Sequence, residues 1–565
     1  MGNYQNIGTL KPADIENRKA YLIGGGIGSL SAAAFLILDG HVEGKNITIL
    51  EKSEIIGGAL DGAGNAKDGY IIRGGREMEE HYECAWDLFG RIPSLIEPER
   101  TVLDEFRELN LWDPNIAACR VIHNRGENAH MESLGLDKAS IKALRKLLLV
   151  TEEELGAKTV KEYFNPSFFE TNMWCFWRSM FAFEEWHSAV EMKRYMERFI
   201  HLMPGMSKLE GILFSKYNQY ESFILPLKKM LLSKEVNFVY SAQAESLDID
   251  ITGGKKTVTA IRLNRSGTAE TIPVGEKDLV FVTLGSMTEN SALGSMNEAP
   301  ALNRDEGTCW KLWKNIAKIS PDFGKPEVFC GNIDQSKWES FTITCTDSPI
   351  ADYLRKLTGR DPYSGRAVTG GIVTISDSSW LMSVTCSRQP HFSTQPGNVL
   401  VLWAYGLFPD NIGDFVKKKM SDCTGAELMT ELLYHLGLKD QIPEILKTVN
   451  VIPCMMPYIT SQFMPRVTSD RPAVVPKGST NLAFMGQFVE QAGDCVFTVE
   501  YSVRSAMTGV YTLLGLERKV PEVYPTKYDL RYIMGAMKTM YPEGKMPGEK
   551  ILRKYLSKTS FKDLI

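Results

Sequence analysis

The residues best placed to do chemistry at the start of this sequence are Gly24-Gly25-Gly26-Ile27-Gly28-Ser29, which follow the apolar run Ala20–Ile23 and open an uncharged segment reaching Leu38. The run matches G-x-G-x-x-G, with Ser29 in the third glycine position. In that motif the first glycine permits a tight turn, the second lets a pyrophosphate approach the backbone, and the third lets the helix pack on its strand. Serine is small enough to serve there. Phosphate charge would meet the free N–H groups and positive dipole end of a helix beginning near Ile27 and Gly28. Glu51, closing the next apolar run Ile47–Leu50, is placed to accept hydrogen bonds from ribose hydroxyls.

Ile56-Gly57-Gly58 follows Glu51 closely, and a glycine pair at that point favours FAD over NAD. Asn481–Met485, ending in Gly486, offers a second place where a ribityl chain or pyrophosphate could meet a helix start. Val282–Ser286, with Gly285 and Ser286, looks like the strand end that follows the adenine half. Ala244, Phe497, Arg76 and Glu77 complete the expected cofactor contacts. No second complete G-x-G-x-x-G occurs, so a dedicated NAD(P)H domain is not expected. The ten cysteines contain no C-x-x-C and the eight histidines no H-E-x-x-H, so no metal is expected.

The elements that must position these groups read as a βαβ unit: a strand at Ala20–Ile23, a glycine turn, a helix through Leu38, and a strand at Ile47–Leu50. Helices with short breaks are expected from Lys138 to Pro204, and another from Ile212 to Leu232. Strands are expected at Val236–Tyr240, on through Asp250, and at Lys256–Arg262, Leu279–Leu284, Gly371–Ser376, Ser379–Thr385 and Val399–Tyr405. A closing strand at Asn481–Met485 precedes a helix at Val499–Leu514. At 565 residues the chain is too long for one core. Its net charge of −5 argues against a nucleic-acid partner. Tyr21–Leu38 carries no charge, yet its glycines and serines mark a turn and helix rather than a membrane span. Met1–Ala20 lacks the apolar run of a secretory signal, and the free-looking cysteines suit a reducing, cytoplasmic setting.

Several long runs resemble the oleate hydratase family, also called myosin-cross-reactive antigens. The most specific is Arg73–Asp87, reading R-G-G-R-E-M-E-E-H-Y-E-C-A-W-D; others are Met180–Ser188, Lys216–Tyr220, Arg388–Phe392, Met456–Ser461 and Phe497–Arg504. The resemblance implies an FAD-dependent enzyme that hydrates the cis-9 double bond of unsaturated fatty acids of the oleate and linoleate kind to 10-hydroxy acids without net redox change. The fold it implies is α/β: a discontinuous glutathione-reductase-like FAD domain with an inserted α+β substrate domain and a C-terminal helical segment. It also implies that Glu77 positions or activates water, that Tyr195 donates the proton, and that Asn218, Thr385, Ser387 and His391 anchor the carboxylate. Ser387 departs from the asparagine of some members, which leaves chain-length preference open.

The domain division expected is 1–137, 205–300 and 451–523 for the FAD-binding domain, with 138–204 a helical substrate segment, 301–450 an α+β substrate domain and 524–565 a C-terminal segment. An isolated alkene is a weak base, so the site must aim a proton at one carbon and hold water at the other; such positioning contributes about 7–11 kcal/mol. A carboxylate suits the water. Tyrosine, with an ordinary pKa of about 10, needs its phenolate stabilised, for which Arg76, Arg194, His81 or the flavin are candidates. Phe168, Phe169, Trp174, Phe176, Trp177, Phe181, Phe183 and Trp186 are core residues or the walls of an acyl slot. The tail from Lys545, with Lys550, Arg553, Lys554, Lys558 and Lys562, reads as a basic amphipathic helix that could lie on an anionic membrane. A homodimer is expected. The rival readings are a flavin redox enzyme or double-bond isomerase on unsaturated fatty acids, and a non-enzymatic surface antigen.

Overall fold

A computed structural model describes residues 9–75 and 77–541. Its frame is a five-stranded parallel sheet in the order Leu482–Met485, Leu279–Thr283, Ala20–Ile23, Ile47–Leu50, Asn237–Val239. Such a sheet must be covered on both faces, and its central strands are accordingly almost wholly apolar: Val280, Phe281 and Val282 are all fully buried. The helix Ile27–Leu38 joins the first two strands and packs on the long closing helix Val499–Leu514. The uncharged segment Tyr21–Leu38 is thus a buried strand and helix, and among the described residues no helix is long and apolar enough to cross a membrane. An antiparallel layer of Ala242–Thr252, Lys255–Arg265 and Thr268–Pro273 lies beside this frame.

The second layer is an eight-stranded mixed sheet in the order Ala292–Leu293, Val449–Met456, Trp338–Thr346, Val399–Gly406, Met382–Thr385, Val373–Ile375, Val121–His123, Glu127–Asn128. Along Val399–Gly406 the strand period sorts side chains: Val399, Val401, Trp403 and Tyr405 face the main core, while Leu400, Leu402 and Ala404 face a second core. Helices Ile350–Thr358 and Gly425–His435 close that second core. The chain is therefore mixed α/β, with its parallel frame assembled from pieces distant in sequence. The sheet boundaries do not follow the expected division, because Val121–His123 lies before position 137 and Val449–Met456 straddles position 450. Each strand extends the second sheet, where its apolar side chains find a covered face.

Trp338–Thr346 was not expected as a strand. Its alternate Thr residues are spent on side-chain hydrogen bonds: Thr344 Oγ1 accepts from the Tyr70 amide at 2.9 Å and Thr342 Oγ1 from the Ile72 amide at 3.1 Å. This lays the strand Gly69–Ile72 across the sheet and delivers the following Arg73–Met78 loop to the molecule's centre. The helix expected over Ile212–Leu232 is shorter, consisting of a wide turn at Tyr220–Ile224 and a helix at Leu225–Ser233. The residues before it are drawn out by paired backbone hydrogen bonds between Met78 and Leu213. The expected basic tail helix lies outside the described residues.

The helix Ala189–Arg198 crosses between the layers with four charged residues buried on it, Glu191, Lys193, Arg194 and Arg198, of which Lys193 pairs within the helix with Glu197 and the other three reach other elements. Glu191 pairs with Arg466 at 2.7 Å and Arg471 at 3.0 Å. Arg194 pairs with Glu152 at 2.7 Å and Glu490 at 2.5 Å. Arg198 pairs with Glu79 at 2.7 Å and with Asp494 at 3.5 Å. Removing one partner of such a pair leaves an uncompensated buried charge and costs about 3–5 kcal/mol. Glu191→Ala is therefore expected to move the main urea-unfolding transition down by that amount. A loss below about 1 kcal/mol would remove the pairs from the account of how the layers are joined.

Candidate active site

The carboxyl ends of four parallel strands run into one crevice of about 470 Å³, bordered by Gly24, Glu51, Gly285 and Gly486. Ligands of open α/β sheets sit at this edge. Gly26, Ile27, Gly28, Gly58, Ala244, Ser286 and Phe497 also border it. Two glycine loops meet there: a Cβ on Gly58, where φ is +57°, would stand 3.1 Å from Gly26 Cα. The opening helix Ile27–Leu38 carries no side-chain cap, so its first amides face the crevice free to bind an anion. Glu51 accepts from the Gly25 amide at 2.6 Å and from Ser53 Oγ at 2.6 Å. These bonds fix the carboxylate at the crevice wall with lone pairs to spare.

A smaller chamber of about 120 Å³ lies between the second sheet and the helical segment. Glu77, Tyr195, Thr385, Ser387 and His391 all line it, with Phe181, Phe199, Trp338, Trp403 and Tyr405 as its apolar and aromatic walls. Phe497, Thr498 and Val499 line both spaces, so the start of the helix Val499–Leu514 is the partition between them. Thr498 caps that helix by accepting from the Tyr501 amide, and Phe497 takes a left-handed φ of +69° to turn into it.

The two groups implied to act on water and proton sit in contrasting settings. Burial raises the Glu77 carboxyl to about 7, against the opposing pull of the Arg120 guanidinium. The Tyr195 ring is packed edge-on by Phe181, Phe183, Phe199 and Phe463. Its hydroxyl donates to the Val496 carbonyl at 2.6 Å. Burial first, then the anionic sides of Cys495, Tyr82, Glu191 and Asp494, hold this phenol well above its ordinary value. The helpers considered for its phenolate are committed elsewhere: Arg194 is paired to Glu152 and Glu490, and the His81 ring stacks on Tyr524 at 3.5 Å. Arg76 lies outside the described residues.

Three expected contacts fall elsewhere. Ser29 is fully buried away from the crevice, its hydroxyl 3.3 Å from that of Thr283, because the third motif position faces the strand and not the phosphate. Asn218 is not among the chamber's walls; its backbone and side-chain amides both donate to the His391 carbonyl, so it holds the loop that presents His391. Glu77 borders the chamber but not the crevice. Sequence reasoning missed Arg120, Gln219, Tyr82 and the pair Trp403 and Tyr405. The last two stand at i and i+2 of a strand, a spacing that already put them on one face.

An α/β protein whose glycine cradle and two helix starts suit a dinucleotide, beside an aromatic-walled chamber, is the class that fold and site define. The chain belongs to the MCRA family, which it matches over residues 17–511. It is 44% identical over 541 residues to the oleate hydratase of Streptococcus pyogenes serotype M49 (strain NZ131), covering 95% of this chain and 92% of that one. It is 33% identical over 537 residues to the linoleate hydratase of Lactiplantibacillus plantarum, covering 88% of this chain and 94% of that one. The resemblance read from Arg73–Asp87 and the other runs thus extends over nearly the whole chain.

Burial holds His391 neutral, lowering it from 6.5 to about 4. The unfolded chain takes up this proton near 6.5 and the folded one only near 4, so the ring's contribution is complete above pH 6.5 and lost as pH falls toward 4. His391→Gln should flatten the pH dependence of the thermal unfolding midpoint in that window. An unchanged slope between the two proteins would contradict the buried, neutral assignment.

Proposed function

We propose that this protein hydrates an isolated cis double bond of an unsaturated fatty acid, of the oleate and linoleate class, giving a 10-hydroxy acid with no net redox change. The observation that carries the reading is the pairing, in one apolar chamber beside the cofactor crevice, of an enclosed carboxyl near neutrality and a phenol. The relatives named oleate hydratase and linoleate hydratase support the same chemistry. FAD fits the crevice: the opening helix start would take its pyrophosphate, Glu51 a ribose, and the Gly486 turn with the second helix start the flavin side. When bound, the flavin would supply a polar aromatic group to the site, and Gly486 with Phe497–Val499 are the residues that would hold it on the chamber side.

The reaction is concerted. Ionised Glu77 takes a proton from water as the water oxygen bonds to one olefinic carbon. Tyr195 releases its Val496 carbonyl and gives its proton to the other carbon; the proton held by Glu77 then returns to the Tyr195 oxygen through solvent, which resets both groups, so that one water is added overall. A carboxylate near 7 is a stronger base than an ordinary one and is still about half ionised at neutral pH. Concertedness matters because the raised phenol is too weak an acid to protonate an alkene by itself. Thr385, Ser387 and the neutral His391 offer polar contacts to the acid's carboxylate, and the aromatic walls bury its chain at about 0.8 kcal/mol per methylene.

Glu77→Gln is expected to lower turnover at least about a hundredfold while leaving bound flavin absorbance intact. In the unaltered protein the rate should rise with pH through a single ionisation near 7. Oleate incubated in heavy-oxygen water should give a product carrying the label without consuming an electron acceptor; an unlabelled isomerised or oxidised product would replace this reading with the redox one.

A further inference from the structure

Arg120 stands where the chain enters the strand Val121–His123, behind the chamber and almost completely buried. One guanidinium nitrogen, Nη1, donates to the Ile372 carbonyl. The guanidinium lies 5.3 Å over the Phe176 ring. Its remaining nitrogens, Nε and Nη2, are buried with no hydrogen-bond partner among the described residues. A cation desolvated to this degree needs an anion nearby to persist. The segment that holds it also touches the carboxylate implied in catalysis: a Cβ on Gly371, next to Ile372, would stand 3.1 Å from Glu77 Oε1.

We propose that Arg120 is a positioning residue for Glu77, a fixed buried cation that favours the ionised form of the carboxylate, the form able to take water's proton. The other titratable groups facing Arg120 are Cys119, Cys175 on the helix Asn172–Phe181 and Tyr405 on the strand Val399–Gly406. Burial keeps all three protonated, Cys119 by raising it to about 11. Among the described residues Glu77 is therefore the anion that answers this cation. The two effects on Glu77 oppose each other. Enclosure disfavours its charge, Arg120 favours it, and the balance leaves the group near neutrality rather than above it. Arg120 touches neither crevice nor chamber wall, so its influence on a substrate is electrostatic and passes through Glu77.

The inference rests on Glu77 being the base, and the test separates the two claims. Arg120→Gln and Arg120→Met both remove the charge; the second fills the space with an apolar chain and guards against misfolding. Two readouts are needed on the full chain purified with its flavin. The first is the pH profile of turnover, whose midpoint is expected to move from about 7 to about 8 or above. The rate at pH 7 would then fall about tenfold and recover as pH is raised. Arg120→Lys, which keeps the charge, should restore most of the original midpoint. The second is an infrared titration of the Glu77 carboxyl band, isolated by difference against Glu77→Gln, which reports ionisation whether or not Glu77 is catalytic. An upward shift of that band in the charge-free variants supports the inference even if Glu77→Gln proves active. A midpoint unmoved in both variants, with rates lowered evenly at every pH, would leave Arg120 a packing residue and overturn it.

Discussion

The structure depends on one arrangement: a ten-residue helix, Ala189–Arg198, that carries buried charges into the junction between two sheets. Helix propensity alone would not hold it there, since its inward face bears Glu191, Arg194 and Arg198. Its position is set by the carboxylates and guanidinium groups that meet these residues from Glu79, Glu152, Arg466, Arg471, Glu490 and Asp494. Those partners come from both ends of the sequence. Buried pairs of this kind add little net stability compared with apolar packing, but a misplaced one is heavily penalised. They therefore act as a register, and Tyr195, between Arg194 and Arg198, inherits that register.

A second consequence concerns how the two spaces are separated. Phe497–Val499 borders both, and the partition is the start of a helix whose first residues are anchored by charge as well as by a cap. Glu500 accepts from the Cys84 and Ala85 amides and pairs with Arg504, which also reaches Asp494. Asp494 in turn lies beside Arg198. The partition and the Tyr195 helix are thus parts of one charged network, so whatever occupies the crevice is held at a fixed distance from whatever occupies the chamber.

Legibility from sequence followed how local each constraint was. The glycine motif, Glu51 and the helix Val499–Leu514 could be read because turn geometry and helix periodicity are written in consecutive residues. Ser29 was legible as a motif position, but the direction its side chain takes, toward Thr283, is a matter of packing. Trp338–Thr346 alternates Phe341, Ile343 and Cys345 with Ser340, Thr342 and Thr344, yet its polar face is buried too, under Gly69–Ile72 through threonine hydroxyls, a use of that face that is set by packing and not by local sequence. Asn218 was placed in the site by resemblance, and the contact it makes to the His391 loop is 173 residues away in sequence. Arg120 carries no motif at all. Its role emerges only when Gly371 and Ile372 bring it to Glu77.

On the proposed reading, the electrostatics of the chamber account for how a weak acid and a moderate base would serve an unreactive olefin. In a space walled by Phe181, Phe199, Trp338, Trp403 and Tyr405, any isolated charge is costly, so a carbocation fully formed before water bonds to it is disfavoured. The same apolar wall that raises Tyr195 and Glu77 makes the charge-separated intermediates expensive and leaves simultaneous transfer as the cheaper path. What the protein must then supply is alignment: a base held near neutrality against one carbon and a neutral donor on the other. Burying the tyrosine is on this view a condition of the chemistry, because a more acidic phenol in water would lose its proton to solvent before an alkene could take it.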